Sequence, residues 1–213
     1  MTTESAPPPR HATFDVDRPD HPLDRLTSAL RIFTVIPAAI LLATLSGGGA
    51  SAVGDDGGLW FAIGGPGVLF LPVLLMLVFR EKYPRWWFDF NRELLRFSAR
   101  VAAYAALLTD TYPSTDEPQA VHLELPEPDT TQLNRWLPLV KWLLVIPHVV
   151  VLVFLWLGAV VAVVIAWFAI LITGRYPDGL FDYVVGVGRW NMRVVAYAFA
   201  LVTDEYPPFR LAA

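Results

Sequence analysis

The sequence predicts an all-α integral membrane protein with two tandem repeats, each a transmembrane helical hairpin followed by an Arg-bearing amphipathic interfacial helix. Three observations predict this fold class: the chain is unusually apolar, its apolar residues form charge-free runs, and its two halves resemble each other. Of the 213 residues, 55% are hydrophobic and only 17% are charged. A soluble domain carries about 25% charged residues, so the composition argues against a soluble enzyme and against a disordered chain.

The charge balance and the absence of cysteine exclude further function classes. The formal net charge is −4, which argues against nucleic acid as a partner. The chain has no cysteine, which excludes disulfides, cysteine-ligated zinc and thiol catalysis. We find no P-loop, GxGxxG, HExxH or GxSxG motif. The sequence therefore predicts a non-enzymatic protein with no catalytic site, no metal site and no cofactor.

The first hairpin is predicted at roughly 26–79. A helix needs about 20 apolar residues to cross the hydrocarbon of a membrane, and the segments 26–45 and 59–79 meet this requirement. They are joined by the glycine-rich loop 46–58. Gly64, Gly65, Pro66 and Gly67 interrupt the second span, as either a close-packing face or an unwound segment.

The second hairpin is predicted at roughly 137–173. The charge-free run 142–173 would be about 48 Å long as one helix, whereas the hydrocarbon core measures about 30 Å. This length favours two short arms that fold back near Trp156, Leu157 and Gly158. One strongly tilted helix is the alternative.

Two further segments, 84–108 and 177–203, combine apolar residues with arginines four residues apart. This spacing places the arginines on one helical face. Because an arginine is costly at the bilayer centre but reaches headgroups from the interface, we expect helices that lie in the interface. The alternative is a third span in each half, with the arginines facing the bundle interior.

The distribution of lysine and arginine predicts the orientation. These residues flank the open ends of both hairpins, whereas the loop 46–58 has two aspartates and no lysine or arginine. By the positive-inside rule, we expect a multi-pass protein with both termini in the cytoplasm.

An internal repeat relates the two halves. RLTSALRIFTVIPA, from Arg25, matches RWLPLVKWLLVIPH, from Arg135. LLRFSARVAAYAALLTDTYP, ending at Pro113, matches VGRWNMRVVAYAFALVTDEYP, ending at Pro207. Such self-similarity indicates duplicated structural units, and we expect a pseudo-twofold arrangement.

The repeat also sets the predicted organisation of the chain. It comprises a flexible cytoplasmic tail (1–22), membrane repeat 1 (23–113), an acidic Pro-rich linker (114–134) and membrane repeat 2 (135–213). Before each repeat, a short segment alternates apolar and polar residues, TFDVD at 13–17 and VHLEL at 121–125. Such alternation is typical of strands, and the two segments are expected to be extended and able to pair as a short ribbon.

These motifs resemble a bacterial membrane family known as a domain of unknown function, DUF4389. The second half, about 120–213, resembles it closely through an Ile-Pro-His helix and the stretch TGRYPDGLFDYVVGVGRWNMRVVAYAFALVTDEYPPF. The first half is a degenerate copy, with Ala38 at the position of His148 and Phe79–Arg80–Glu81 in place of Ile172–Thr173–Gly174. The resemblance implies a protein of the bacterial cytoplasmic (inner) membrane and implies no activity.

Three residues of the apolar runs are candidates for a special role. His148 is either a proton relay inside the bundle or a histidine bonded to a backbone carbonyl that Pro147 leaves free; its position near a helix end favours the second. Pro37 and Pro147 are either hinges or static kinks, and packing of repeats favours kinks.

The charged candidates are expected to form structural pairs. We expect equivalent arginines to superpose at one depth and to lie within reach of carboxylates, because a buried arginine needs a partner. An ion pathway formed by the carboxylates is the alternative. The arginines are Arg96, Arg100, Arg189 and Arg193, and the carboxylates are Asp89, Asp182, Asp110 and Asp204.

These features favour an accessory or scaffold subunit that packs on another membrane protein or on itself, with membrane lipids as further partners. The alternative is a small channel or transporter at the interface between the repeats. A lipid-binding protein that uses the arginine stripes is a third hypothesis.

Overall fold

The computed structural model describes residues 11–45, 75–76, 83–115, 117–128 and 137–212. The predicted loop 46–58, most of the predicted span 59–79 and the glycines within it lie outside these residues. In chain order the elements are β1 (Thr13–Val16), α1 (Arg25–Ala29), α2 (Arg31–Thr34), α3 (Ile36–Leu45), α4 (Arg85–Ala105), β2 (Val121–Glu124), α5 (Leu137–Thr173) and α6 (Asp178–Ala198).

The two strands form an antiparallel ribbon, as the alternation of apolar and polar residues predicted. Phe14 lies opposite Leu123, and Val16 lies opposite Val121. These four apolar side chains are buried, whereas the residues between them are exposed. Parts of the segments predicted as tail and linker therefore belong to the core of the protein.

Helices α4 and α6 each begin directly after a Tyr-Pro sequence. Pro84 and Pro177 occupy the N-cap positions in extended conformation, with φ of −63° and −64°. A proline suits a helix start because its missing N–H would have no partner there. Both helices are 21 residues long, in agreement with the predicted helical segments 84–108 and 177–203.

Helix α5 is a single helix of 37 residues that continues through Pro147. The predicted hairpin with a turn near Trp156–Leu157–Gly158 is therefore wrong. The alternative of one continuous helix is confirmed. Gly158 serves packing instead of a turn, because a Cβ there would lie 2.5 Å from the Tyr183 hydroxyl. That hydroxyl donates to the Leu155 carbonyl at 3.0 Å.

The buried side chains of α5 recur every three or four residues, apart from one step of seven between Leu152 and Ala159 in which Leu155 is half-buried, and this is the pattern of one continuous packed stripe. They are Pro138, Lys141, Val145, His148, Leu152, Ala159, Ala162, Ala166 and Ile170. This regular stripe argues for one helix more strongly than the total apolar length argues for two.

The predicted first span, 26–45, is divided into α1, α2 and α3 by Leu30 and Val35. Pro37 is the second residue of α3 and lies in the first turn, where proline is tolerated. It therefore does not kink a helix interior, unlike the matching residue Pro147.

The elements pack in three layers. The ribbon forms the first layer, with β1 against α6 and β2 against α4. Helices α4 and α6 form the second layer. The third layer contains α5, which packs on α6, together with α3, which packs on α4, and α1, which packs on α5.

Among the described residues, α5 is the single helix long and apolar enough to cross a membrane. Only 22% of its most apolar stretch is buried inside the protein. Most of its apolar surface therefore has no contact with the described part of the chain.

Candidate functional site

The most deeply buried charges of the described chain lie in two similar clusters. Cluster 1 consists of Arg31, Tyr104, Thr109 and Asp110, and cluster 2 consists of Lys141, Tyr197, Thr203 and Asp204. In each cluster, a cation near the start of an apolar helical segment binds residues of the segment directly after α4 (cluster 1) or α6 (cluster 2).

In cluster 1, Arg31 is 3% exposed. Its guanidinium donates to the Thr109 carbonyl at 2.7 Å and to the Asp110 carboxylate at 2.5 Å. It also lies over the Tyr104 ring, 4.0 Å from the ring centre. Thus three kinds of contact compensate the loss of water around the cation.

Cluster 2 repeats these contacts with a lysine. Lys141 is fully buried, and its ammonium donates to the Thr203 carbonyl at 2.7 Å and lies 2.7 Å from the Asp204 carboxylate. The Tyr197 ring centre is 4.8 Å away. Each cluster holds together two chain segments that are more than 60 residues apart.

A backbone turn with an unusual conformation precedes each Thr-Asp sequence. Leu107 and Leu201 have φ of 63° and 54°, and they are the non-glycine residues with positive φ in the described chain. Both side chains are 2% exposed or less. The left-handed conformation redirects the chain after each helix so that the following aspartate reaches its cation.

The arginines Arg96 and Arg189 bind the two strands of the ribbon. Arg96 donates from Nε to the Leu123 carbonyl at 3.0 Å, and Arg189 donates from Nε to the Phe14 carbonyl at 3.1 Å. The two carbonyls belong to residues that face each other in the ribbon. The Asp17 amide bonds to the Ala120 carbonyl, and bonded pairs alternate along an antiparallel ladder. The carbonyls of Phe14 and Leu123 therefore point to the outer edges.

The arginines Arg100 and Arg193 also bind backbone carbonyls. Arg100 donates to the Ser114 carbonyl at 2.7 Å, and Arg193 donates to the Ala212 carbonyl at 2.5 Å. Burial lowers the pKa of the Arg193 guanidinium, and the neighbouring cations Arg210 and Arg189 lower it further.

The four aspartates form ion pairs, as expected, but their partners are cations other than these four arginines. Asp89 lies 3.2 Å from Arg92, Asp182 lies 2.5 Å from Arg18, and the other two aspartates belong to clusters 1 and 2. Arg96 and Arg189 bind edge carbonyls of the ribbon and the carboxylates of Glu93 and Asp15. Arg100 and Arg193 bind the carbonyls of Ser114 and Ala212. Helical spacing places the arginines on one face but does not identify what covers that face.

A salt bridge connects the extension of each strand to the helix on which that strand packs. Arg18 lies 3.2 Å from Asp178 of α6, and Glu127 lies 3.8 Å from Arg85 of α4. The charges are reversed between the two pairs. The hydrogen bond that Arg18 donates to Asp182 raises the pKa of its guanidinium.

His148 is buried among aromatic side chains. Its Nδ1 accepts a hydrogen bond from Trp190 Nε1 at 3.0 Å, so the proton of the neutral ring is on Nε2. The ring stacks on Phe209, with centroids 3.9 Å apart. The predicted bond to a backbone carbonyl freed by Pro147 is thus replaced by a bond to tryptophan. Nε2 has no hydrogen-bond partner within the described part of the chain.

Sequence reasoning missed most residues of the two clusters. Arg31 and Lys141 stand at the same place in the two repeat copies quoted above, and Asp110 and Asp204 are pairing candidates there, but neither cation was assigned to its aspartate. The available signal was the joint repetition of the cation, the tyrosine of the VAAYA or VVAYA motif, and the Thr-Asp sequence. Among the described residues, no group of three or more histidine, aspartate or glutamate side chains is placed to hold a metal ion.

Comparison with known proteins identifies one domain. No curated protein and no solved structure gives a significant match. The C-terminal part of the chain, residues 136–210, matches the family described as a domain of unknown function, DUF4389.

Proposed function

We propose that this chain is a non-enzymatic membrane protein, formed by two tandem units, that acts as an accessory or scaffold subunit. The observation that carries the proposal is the exposed apolar face of α5. Exposed side chains on this helix include Leu139, Leu143, Val150, Val153, Phe154, Leu157, Val161, Ile165, Phe168 and Ile172. Uncharged apolar surface of this extent favours contact with lipid over contact with water.

The distribution of side-chain size on α5 supports lipid as the main neighbour of this face. Ala159, Ala162 and Ala166 all lie on the buried stripe, whereas the exposed face carries large aliphatic and aromatic residues. In membranes, small residues mark helix–helix contacts because they allow close approach. A face without them is better suited to acyl chains than to a second helix.

The matching contacts support two tandem units. Clusters 1 and 2 make the same set of contacts, with Arg31 as the cation in one and Lys141 in the other, and the ribbon is bound symmetrically from both sides. Each strand packs on the helix of the other unit. This crosswise arrangement is what a pseudo-twofold axis through the ribbon would produce.

The contacts of the polar candidates favour a structural role over catalysis or transport. The named arginines donate to backbone carbonyls, and the named aspartates pair with other cations. The core where the ribbon, α4 and α6 meet contains apolar side chains, among them Phe14, Leu123 and Val187. A small channel or transporter at this interface would need a polar path there.

Membrane fractionation tests the association with lipid. We expect the full-length protein to stay with the membrane after an alkaline carbonate wash. The variant Leu157→Lys should be released in larger part, because it places a charge on the exposed face of α5. The matched control Thr13→Lys, on the exposed face of the ribbon, should behave like the wild type. Release of the wild-type protein by the wash would contradict the proposal.

Purification in mild detergent tests the scaffold role. Light scattering coupled to size exclusion should give a protein mass above the 23.7 kDa of one chain. Chemical cross-linking in native membranes, followed by mass spectrometry, would then identify the neighbour. A monomer in detergent that also gives no cross-link in membranes would contradict this part of the proposal.

A further inference from the structure

The relative orientation of α5 and α6 determines which charged residues lie beside each part of α5. Three contacts align the helices: Tyr183 bonds to the Leu155 carbonyl, Trp190 bonds to His148, and Lys141 lies over the Tyr197 ring. Between successive contacts, α6 advances by seven residues while α5 recedes by seven. The helices therefore run antiparallel over 14 residues, about 21 Å.

This alignment places exposed ion pairs beside the middle of α5. The strand β1 runs along α6 on the side away from α5, with Arg18 bound to Asp178 and Asp182, and with Asp15 bound to Arg189. By the same alignment, these charges are level with residues of about 149–160 of α5. The carboxylates of these pairs are largely solvent-exposed, with 83% for Asp178, 67% for Asp182 and 63% for Asp15, whereas Arg18 is 48% and Arg189 is 22% exposed.

A membrane-spanning position of α5 would therefore bring charges into the hydrocarbon. If any 20 consecutive residues of the run 142–173 crossed the membrane, at least one of these ion pairs would lie about 9 Å or more below the boundary of the hydrocarbon. Ion pairs exposed on the outer surface of the protein would face acyl chains at that depth, which is strongly unfavourable. The length and composition of α5 would allow it to cross a membrane, but the ion pairs beside its middle make a crossing unfavourable.

The layers of the fold offer a position without this conflict. The apolar residues Leu143, Leu157 and Ile172 are 68%, 64% and 74% exposed, and they share the side of α5 opposite to its buried stripe. Helices α1–α3, in the same layer, also expose large apolar side chains, such as Leu26, Ile32, Phe33 and Ile40. On the other side of the molecule, the ribbon exposes Thr13, Asp15, Asp17, His122 and Glu124.

We infer that α5 lies along the membrane plane, with its exposed face in the acyl chains of one leaflet and the ribbon facing water. This inference rests on the proposed association with membranes and specifies its geometry. A lipid surface is the partner that fits the third layer, because that surface is apolar over the length of α5 while the charges of the first layer lie away from it.

Depth measurement by site-directed spin labelling tests the inference. Because the chain has no cysteine, single-cysteine variants of the full-length protein carry one label each. The labelled variants are Leu143→Cys, Leu157→Cys and Ile172→Cys, in vesicles of mixed zwitterionic and anionic phospholipid. Depth is read from the relative collision rates with oxygen and with a water-soluble nickel complex. Val150→Cys and Val161→Cys, on the same side of the helix, replace any variant that fails to fold.

An in-plane helix predicts three similar depths, all about 5–10 Å below the headgroups. A spanning helix instead places the labels at 143 and 172 about 43 Å apart along its axis, with the label at 157 deepest. That pattern would overturn the inference, as would vesicle-bound protein whose three labels are shielded from lipid. The control Thr13→Cys should remain accessible to the nickel complex. Failure of the protein to bind vesicles would overturn the proposed function itself and is therefore distinguishable.

Discussion

Removal of the Asp204 carboxylate should destabilise the protein strongly. Lys141 is fully buried, and its ammonium has the Asp204 carboxylate, the Thr203 carbonyl and the Tyr197 ring as its neighbours. In Asp204→Asn the ammonium keeps only neutral partners among the described residues. Breaking a buried ion pair on one side typically costs about 3–5 kcal/mol, because the remaining charge is uncompensated. We expect a loss of this size in the free energy of unfolding.

The opposite truncation should cost less. In Lys141→Met the cation is absent, and the Asp204 side chain, which is 21% exposed, can still reach water. We expect a loss of about 1–2 kcal/mol. The double variant should be more stable than Asp204→Asn alone, because its neutral side chains leave no buried charge.

Urea unfolding in detergent, followed by circular dichroism, measures these differences. Glu205→Gln is the matched control, since Glu205 is adjacent and 52% exposed, and it should change stability by less than about 0.5 kcal/mol. The reasoning is refuted if Asp204→Asn is as stable as this control, or if the effects of the two single variants simply add in the double variant.

Three further outcomes are expected. Gly188→Ala should destabilise the protein by about 1–3 kcal/mol in urea unfolding, because a Cβ at this position would lie 2.7 Å from the Phe14 ring. The control Gly179→Ala should be neutral or stabilising, because a Cβ there would have no atom within 4 Å. Burial raises the pKa of Tyr176 above its ordinary value, so above about pH 10 the tyrosine ionises more readily in the unfolded chain than in the folded protein, and the free energy of unfolding falls. Tyr176→Phe should reduce this loss at alkaline pH, and an unchanged dependence of stability on pH would contradict the assignment. Arg189→Ala removes the donor on the edge carbonyl of Phe14 and should increase aggregation in light scattering, because an uncovered strand edge can pair with another chain.

The elements were largely predictable because their signals are local. Alternation identified β1 and β2, and the Tyr-Pro sequences together with the four-residue spacing of arginines identified α4 and α6. The contacts between elements were less accessible. The salt bridges Arg18–Asp178 and Arg85–Glu127 connect residues that no local pattern relates, and they became visible only once each strand was placed on its helix.

The error at α5 has a different origin. The hairpin was inferred by comparing the length of the apolar run with the thickness of a bilayer, which presupposes that an apolar run crosses it. The spacing of Ala159, Ala162 and Ala166 continues that of Val145 and Leu152 and indicates one unbroken packed face. A length argument cannot detect this continuity, whereas a search for the buried stripe can.

The crosswise packing of the ribbon also determines when the first strand can reach its place during synthesis. Strand β1 pairs with β2, more than 100 residues later, and Arg18 binds a partner 160 residues further along the chain. At about 5–20 residues per second, the ribosome needs about 8–30 s to make the chain between them. For about the first two thirds of that interval Phe14 and Val16 lack both their partner strand and their helix, and for the remainder they still lack the helix. The N-terminal strand is therefore made first but can complete its native contacts only after α6 has been made.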